Sequence, residues 1–378
     1  MILPILCLAG VSLIISFLVT WLMIHLAPRI GFVDRPGHRK IHAAPKPLGG
    51  GVAIFLAIAL PMLAGLLVVN LAAEQLVLRF IRHDDAVALL SGAQHQTRLS
   101  LGVVGGMLIL HALGLLDDRS ALGPYVKLIA QLVVAGTLVV AFDMRALTAL
   151  GTAPSTTLTI LWIVAITNAF NFLDNMDGLS AGVAAVCTTA FLVTAIIIQQ
   201  WFVAATLALL LGALLGFLFW NFPPARIFMG DSGSLVVGFV LGVLTVRTTY
   251  LPKGEDFAAG WYSVFAPLIV LAVPLYDLIV VSIIRLSRGK SPFVGDTNHF
   301  SHRLVARGMS RRTAVLCIYL VTAATSVAAT LLPHVKSTFG AMLIFCQTIL
   351  ILGVVALLEQ HPLRPPLSPG EGGGEGDV

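Results

Sequence analysis

Long apolar runs separated by short polar stretches are the feature that most restricts the fold of this chain. A helix needs roughly 20 apolar residues to cross a lipid bilayer, and the sequence offers about eleven such runs. Hydrophobic residues make up 58% of the 378 residues and charged residues only 11%, which excludes an ordinary soluble domain. We therefore predict an all-α, polytopic integral membrane protein with about eleven transmembrane helices. One membrane domain would cover residues 1–360, and the Pro/Gly-rich residues 361–378 would form a disordered tail.

The distribution of basic residues predicts the orientation of the helices. The odd-numbered connections between the runs hold most of the arginine and lysine in the loops, and the even-numbered ones hold far fewer. By the positive-inside rule the odd loops face the cytoplasm and the amino terminus lies outside. The acid-rich and His-rich clusters also fall on odd loops. We therefore expect five cytoplasmic loops to converge on one active site.

The stretch from Asn221 to Ser234 is the centre of this expected site. It reads N-F-P-P-A-R-I-F-M-G-D-S-G-S and connects two apolar runs, so that Asp231 lies where a membrane helix begins. Gly230 and Gly233 permit close approach of the backbone to whatever Asp231 faces. A bound metal or phosphate would explain this arrangement. The alternative is a Pro/Gly turn in which Asp231 is the N-cap of the next helix.

An adjacent pair of acids closes the third apolar run. Asp117 and Asp118 lie at a predicted helix C-terminus, where the helix dipole disfavours negative charge. Arg119, Lys127 or a magnesium ion could compensate the two carboxylates. The alternatives are a pair of solvated loop acids, or an Asp-rich magnesium site of the kind that membrane prenyltransferases use.

Four polar residues recur at a spacing of three near the fifth connection. On a helix, Asn168, Asn171, Asp174 and Asp177 would form one slowly drifting polar stripe at its cytoplasmic end. Such a stripe is costly against lipid, so we expect it to face a cavity. The alternative for the two asparagines is hydrogen bonding to neighbouring helices.

The ninth connection carries two histidines among basic residues. His299, His302 and the cations beside them could clamp phosphate oxygens through charge-assisted hydrogen bonds. A zinc site is disfavoured because no cysteine or third histidine stands nearby. The ninth run, Tyr262 to Leu286, should kink at Pro274. Asp277 within it is a candidate site residue or a partner for Arg285.

These motifs together resemble the polyprenyl-phosphate N-acetylhexosamine-1-phosphate transferase family. The family carries an Asp-Asp pair, an N-x-x-N-x-x-D-x-x-D-G stretch, an F-x-G-D-x-G-S loop and a late His-rich loop, and this chain has all four in order between Gly31 and Arg303. The first loop, with Lys40 and His42, is similar to the branch that uses UDP-N-acetylglucosamine. One departure is Ser301, which stands where the family commonly has another histidine.

The resemblance implies an enzyme of the cell inner (plasma) membrane that transfers N-acetylglucosamine 1-phosphate, or a related hexosamine 1-phosphate, from a UDP-sugar to polyprenyl phosphate. The transfer releases UMP and is the first membrane step of cell-envelope polysaccharide synthesis. The implied cofactor is Mg²⁺, with Mn²⁺ as an alternative. The expected partners are the UDP-sugar, the lipid phosphate and the membrane; no nucleic acid is expected, and a homodimer is compatible with the family.

The resemblance also implies roles for individual residues. The expected catalytic acids are Asp117, Asp118 and Asp231, with the metal on Asp231 and Asp117. The expected substrate contacts are Lys40, His42, Lys127, Asn168, Asn171, Asp174, Asp177, Asn221, His299, His302 and Arg303. A phosphate monoester has a second pKa near 6 and is mostly ionised at neutral pH. We therefore expect Asp117 to position the lipid phosphate rather than to deprotonate it.

Two other functions compete with this interpretation. A phospho-N-acetylmuramoyl-pentapeptide transferase of peptidoglycan synthesis would carry the same motifs. A membrane transporter would also explain many helices and intramembrane acids, but it predicts polar residues near the midplane of broken helices rather than clusters at one face.

Overall fold

A computed structural model describes residues 1–34, 45–71, 92–248, 261–292, 298–335 and 337–360. The predicted tail, residues 361–378, lies outside these ranges, as do Lys40 and His42 of the first loop. The all-α prediction is confirmed, since helices form nearly all the regular structure of the described ranges. The helices are α1 (Ile2–Arg29), α2 (Gly50–Leu71), α3 (Thr97–Arg119), α4 (Pro124–Ala141), α5 (Thr152–Leu173), α6 (Leu179–Ile197), α7 (Trp201–Asn221), α8 (Asp231–Arg247), α9 (Ala266–Val270), α10 (Ala272–Ser287), α11 (Phe300–Ala306), α12 (Arg311–Leu331) and α13 (Thr338–Gln360).

Each predicted apolar run corresponds to a helix or to a bent pair of helices. Within the described residues, nine helices are long and apolar enough to cross a membrane, or ten if the bent pair of the ninth run is one span. The eighth run forms α8, which has only 17 residues. At a rise of about 1.5 Å per residue, α8 is about 26 Å long, shorter than the roughly 30 Å of a hydrocarbon core. The polytopic prediction is therefore confirmed, with one short helix among the spans.

Helix α8 is the centre of the bundle. Its residues from Ser232 to Thr245 are all buried, because α2, α3 and α5 pack around it. Glycines permit these close approaches: a Cβ atom on Gly114 of α3 would lie 2.4 Å from the Cα atom of Ser232. The first residue of α8, Asp231, is thereby held among the ends of three other helices.

The ninth run is broken rather than kinked at the predicted proline. A 3₁₀ turn (Trp261–Phe265) and α9 lead into α10 at an angle of 66°, and the break falls at Leu271. Pro274 has no N–H group to donate to the carbonyl four residues earlier, that of Val270. The loss of this hydrogen bond explains why the helix is interrupted just before the proline.

A short antiparallel pair of strands attaches the first connection, between α1 and α2, to the seventh connection, between α7 and α8. Strand β1 (Val33–Asp34) pairs with β2 (Lys46–Pro47), and the Pro47 carbonyl then accepts a hydrogen bond of 3.0 Å from the Phe228 N–H. The third, fifth and ninth connections reach the same region through the contacts described below. The expected convergence of five odd-numbered connections on one face is therefore observed. Which face is cytoplasmic stays a prediction from the distribution of basic residues.

Candidate active site

Lys127 bridges two of the predicted catalytic acids. Asp117 lies in the last turn of α3, Lys127 in the first turn of α4, and Asp231 begins α8. The Lys127 Nζ atom is 2.9 Å from Asp117 Oδ2 and 2.5 Å from Asp231 Oδ2, with all three side chains mostly buried. Of the cations that the sequence offered, Lys127 is thus the one that compensates the acids at the end of α3.

Asp118 faces the backbone of α8 rather than open space. Its carboxylate accepts hydrogen bonds from the N–H groups of Asp231 (2.8 Å) and Ser232 (3.2 Å). These are two of the N–H groups that a helix leaves without a partner at its first turn. Asp118 therefore caps α8 from a different helix. Gly230 makes this possible, because a Cβ atom there would lie 2.5 Å from the Asp118 carboxylate and its φ is +72°.

His111 fixes the same turn of α8 from one side. Its Nδ1 atom is 2.9 Å from the Ser232 carbonyl oxygen, and its ring stacks on Phe55 with centroids 4.6 Å apart. His111 lies inside the third apolar run and was not among the expected site residues. A spacing of seven places His111 on the same face of α3 as Asp118, and that spacing was the signal for a role at the site.

The end of α5 supplies the amide that orients Asp231. Asn171 donates from its Nδ2 atom to Asp231 Oδ1 and to Ser234 Oγ, each at 2.9 Å. Asn168, one turn earlier, instead donates to Gln131 Oε1 of α4 at 2.5 Å, which corresponds to the alternative of hydrogen bonding to a neighbouring helix. The predicted stripe therefore divides, with Asn171 at the acids and Asn168 between helices.

Asp174 lies beyond the end of α5, beside the acids of α3 and α8. Enclosure by the protein raises the pKa of Asp174 well above its usual range, and the negative charges of Asp231 and Asp118 raise it further. A hydrogen bond from the Gly230 backbone opposes this shift. Asp174 is therefore a fourth acid in the region of the Lys127 ammonium group, beside Asp117, Asp118 and Asp231, and such a cluster of negative charge favours a bound cation.

Two predicted substrate contacts hold the connections together. Asp177 Oδ2 accepts a hydrogen bond of 2.9 Å from the Ala225 N–H. Asn221 Oδ1 accepts from the Gly178 N–H, and Asn221 Nδ2 donates to the Ile227 carbonyl, each at 2.9 Å. These side chains fasten the fifth connection to the seventh. Their predicted role in substrate binding stays a prediction.

The late histidine region is anchored inside the protein. His299 Nδ1 lies 2.8 Å from Asp277 Oδ2, so His299 is a partner of Asp277, for which the sequence had left open a role in the site or a pairing with Arg285. Arg303 donates from Nε to Glu359 Oε2 at 2.9 Å. His302 is partly exposed, with its ring 6.2 Å from that of His299. The contact of these residues with a substrate phosphate stays a prediction.

The oxygen donors at the start of α8 fit a magnesium ion. Among the described residues, no three Asp, Glu, His or Cys side chains converge closely enough to hold a metal by themselves. Magnesium rarely needs such a cage, since it binds through one or two carboxylates, several waters and substrate phosphates. The Asp117 and Asp231 oxygens already converge on one cation, the Lys127 ammonium. These two carboxylates would hold the ion.

Comparison with known proteins identifies the family of this chain. The family model described as glycosyl transferase family 4 matches residues 100–249, which include Asp117, Lys127, Asn171 and Asp231. A "Probable undecaprenyl-phosphate N-acetylglucosaminyl 1-phosphate transferase" of Bacillus subtilis (strain 168) is 33% identical over 367 residues, covering 94% of this chain and 93% of that protein. This chain belongs to glycosyl transferase family 4. The family resemblance predicted from the motifs is therefore confirmed.

Two further relatives extend the match within glycosyl transferase family 4. A "Decaprenyl-phosphate N-acetylglucosaminephosphotransferase" of Mycolicibacterium smegmatis is 32% identical, covering 93% of this chain and 88% of that protein. An "Undecaprenyl-phosphate alpha-N-acetylglucosaminyl 1-phosphate transferase" of Escherichia coli (strain K12) is 26% identical, covering 82% of this chain and 80% of that protein. The similarity thus spans nearly the whole membrane domain.

Proposed function

We propose that this multi-pass membrane protein transfers N-acetylglucosamine 1-phosphate from UDP-N-acetylglucosamine to a polyprenyl phosphate and releases UMP. The observation that carries the proposal is the meeting of Asp117, Lys127, Asn171 and Asp231 at the ends of four helices. A charged cluster at one face of a membrane bundle suits a reaction between a lipid phosphate and a water-soluble nucleotide. The names of the relatives favour N-acetylglucosamine over the muramoyl-pentapeptide alternative.

The site meets the main obstacle to this reaction, which is the mutual repulsion of two phosphorylated substrates. Preorganised positive groups stabilise the charge that develops on the leaving phosphate, and Lys127 is in place for this task. Asn171 holds the Asp231 carboxylate by one oxygen, so that its other oxygen faces Lys127. A magnesium ion, when bound at Asp231 and Asp117, would supply further positive charge to the diphosphate; Mn²⁺ is the alternative ion.

In the proposed reaction, Asp117 positions Lys127 and does not act as a base. Its two carboxylate oxygens already bind the Leu122 N–H (2.8 Å) and the Lys127 ammonium (2.9 Å). The attacking lipid phosphate is mostly ionised at neutral pH and needs no strong base. Asp117 therefore keeps Lys127 pointed at the place where the two phosphates meet.

The proposal places the protein in the cell inner (plasma) membrane, where it would carry out the first membrane step of a cell-envelope polysaccharide. A polyprenyl phosphate is itself a membrane lipid, which suits the bundle of apolar helices. The homodimer stays a prediction, and a mass measurement in detergent would check it.

A reconstituted assay tests the proposal. Purified protein, a polyprenyl phosphate, Mg²⁺ and a panel of radiolabelled UDP-sugars should give lipid-soluble label with UDP-N-acetylglucosamine and not with the muramoyl-pentapeptide donor. Asp231→Asn should abolish the label, while Asp143→Asn, at an acid with a side chain 78% exposed, should not. If only the muramoyl-pentapeptide donor gives lipid-soluble label, the proposed sugar is wrong. If no donor gives label, the proposed transfer is refuted.

A further inference from the structure

A buried acid of the membrane region holds the start of the late helix α11. Asp277 lies in α10 and is 0% exposed. Its Oδ1 atom accepts a hydrogen bond of 2.7 Å from the Phe300 N–H, and its Oδ2 atom lies 2.8 Å from His299 Nδ1. Both oxygens of this carboxylate are thus used by the two residues at which α11 begins. A charged group buried among membrane helices is costly unless its partners compensate it.

The neighbours of His299 decide which ring nitrogen carries the proton. A carboxylate only accepts hydrogen bonds, so Nδ1, which faces Asp277, must be the N–H nitrogen. Arginine only donates, and Arg285 Nη2 lies 3.3 Å from His299 Nε2; Nε2 must therefore accept. Both neighbours require the same neutral tautomer. The Asp277 carboxylate and the Arg285 guanidinium therefore lie on opposite sides of the His299 ring.

The helix that begins here touches the connection that carries Asp174. Ser301 Oγ donates to Asn175 Oδ1 at 2.6 Å, and Asn175 follows Asp174 directly in the chain. The His299 ring also lies edge-on to Phe172, with centroids 5.8 Å apart. A shift of α11 would therefore disturb the connection between α5 and α6.

We propose that Asp277 is a positioning residue of the transferase, which acts through His299 and the Phe300 backbone to hold α11 against the Asn175 side of the active site. This inference rests on the proposed function, since positioning matters only if the site binds a UDP-sugar. His299 is then a fixed residue at the side of the active site and does not bind a substrate phosphate as a cation. Asp277 lies in a helix, outside the acid-rich connections that carry the family motifs.

The first test is a kinetic comparison of Asp277→Asn with the parent. Asparagine keeps one acceptor oxygen and turns an NH₂ donor toward one of the two N–H groups, so α11 should shift. We expect the KM for UDP-N-acetylglucosamine to rise about tenfold, in line with the sensitivity of sites to small displacements, while the KM for polyprenyl phosphate stays the same. Asp143→Asn, which removes an exposed acid, should leave both values unchanged, and Asp277→Glu should recover part of the loss. An unchanged KM for UDP-N-acetylglucosamine in folded Asp277→Asn would overturn the proposal.

The second test leaves Asp277 intact and remains decisive if Asp277→Asn does not fold. The amide nitrogen of asparagine overlays Nδ1 of histidine, whereas that of glutamine overlays Nε2. His299→Asn keeps the donor to Asp277 and should retain most activity; His299→Gln places its donor against Arg285 and should lose about tenfold or more. Equal losses in the two variants would show that the imidazole itself is needed and would overturn the proposal.

A spectroscopic measurement separates this inference from the proposed function. In protein labelled with ¹⁵N-histidine, the signal lost in His299→Asn identifies His299, and its shifts should report the neutral Nδ1–H tautomer. The Nε2–H or charged form would contradict the arrangement. This measurement needs no substrate. If His299 has the expected tautomer but the protein transfers no label to lipid, the proposed function is refuted, and the hydrogen bonding of Asp277 to His299 and Phe300 is not.

Discussion

Replacing Asp118 with asparagine tests whether this acid caps α8. The carboxylate accepts the Asp231 and Ser232 N–H groups, whereas asparagine keeps one oxygen and turns a donor toward the other N–H. A hydrogen bond to a charged group contributes roughly 1.5–3 kcal/mol, and an unsatisfied buried donor costs about 1–3 kcal/mol. These two costs overlap, so we expect the free energy of unfolding to fall by about 2–3 kcal/mol. The change also moves Asp231, and a displacement of about 1 Å costs on the order of 100-fold in rate.

Two measurements on the same preparation distinguish capping from direct catalysis by Asp118. Thermal unfolding in detergent gives the loss of stability, and transfer of radiolabelled N-acetylglucosamine 1-phosphate to lipid gives the loss of rate. Asp143→Asn is the matched control, because it removes an exposed acid that pairs with Arg145, two residues away in the chain. If Asp118→Asn loses the rate with an unchanged unfolding temperature, the carboxylate acts on the substrate and the capping explanation is refuted.

Three other variants test the remaining roles. Asp117→Asn should lose rate to a similar extent from about pH 6 to 9, because the lipid phosphate is already ionised there; a relative rate that climbs tenfold per pH unit at the acid end would make Asp117 a base. Lys127→Gln removes the cation between Asp117 and Asp231, so Mg²⁺ should raise its unfolding temperature more than that of the parent; an equal rise would mean that the ion binds elsewhere. Asp174 has a raised pKa, so as pH rises above the usual range of an aspartate, the native state keeps a proton that the unfolded state has released, and stability should fall. With a metal chelator present, the free energy of unfolding of Asp174→Asn should fall less with rising pH than that of the parent. An equal pH dependence in the two proteins would mean that another group causes the fall.

The membrane architecture was predictable because it depends on composition alone. A run of about 20 apolar residues has few alternatives to a membrane helix, and each predicted run became a helix or, for the ninth, a bent pair of helices. Pro274 predicted where the ninth run is interrupted, because it cannot donate a hydrogen bond to the Val270 carbonyl. It did not predict a full break at Leu271 with an angle of 66° between the two helices. The end of α5 at Leu173 also divided the predicted polar stripe, so that Asp174 and Asp177 lie beyond the helix.

The types of residue at the site were predictable, and most of their individual contacts were not. The sequence named Asp117, Asp118 and Asp231 as a group through the family resemblance, which implies that all three are catalytic. It could not separate Asp118, which caps α8, from Asp117, which binds Lys127. That distinction depends on a contact between residues 113 positions apart. Likewise, the partner of Asp277 became clear only when α10 and α11 were seen together.

The short, fully enclosed helix α8 has a consequence for how the protein is made. A helix of about 26 Å cannot match the bilayer well by itself, and it needs α2, α3 and α5 around it. All three emerge from the ribosome before α8 does. During synthesis, Asp118 of α3 therefore lacks its partner N–H groups, those of Asp231 and Ser232, until more than a hundred further residues have been added.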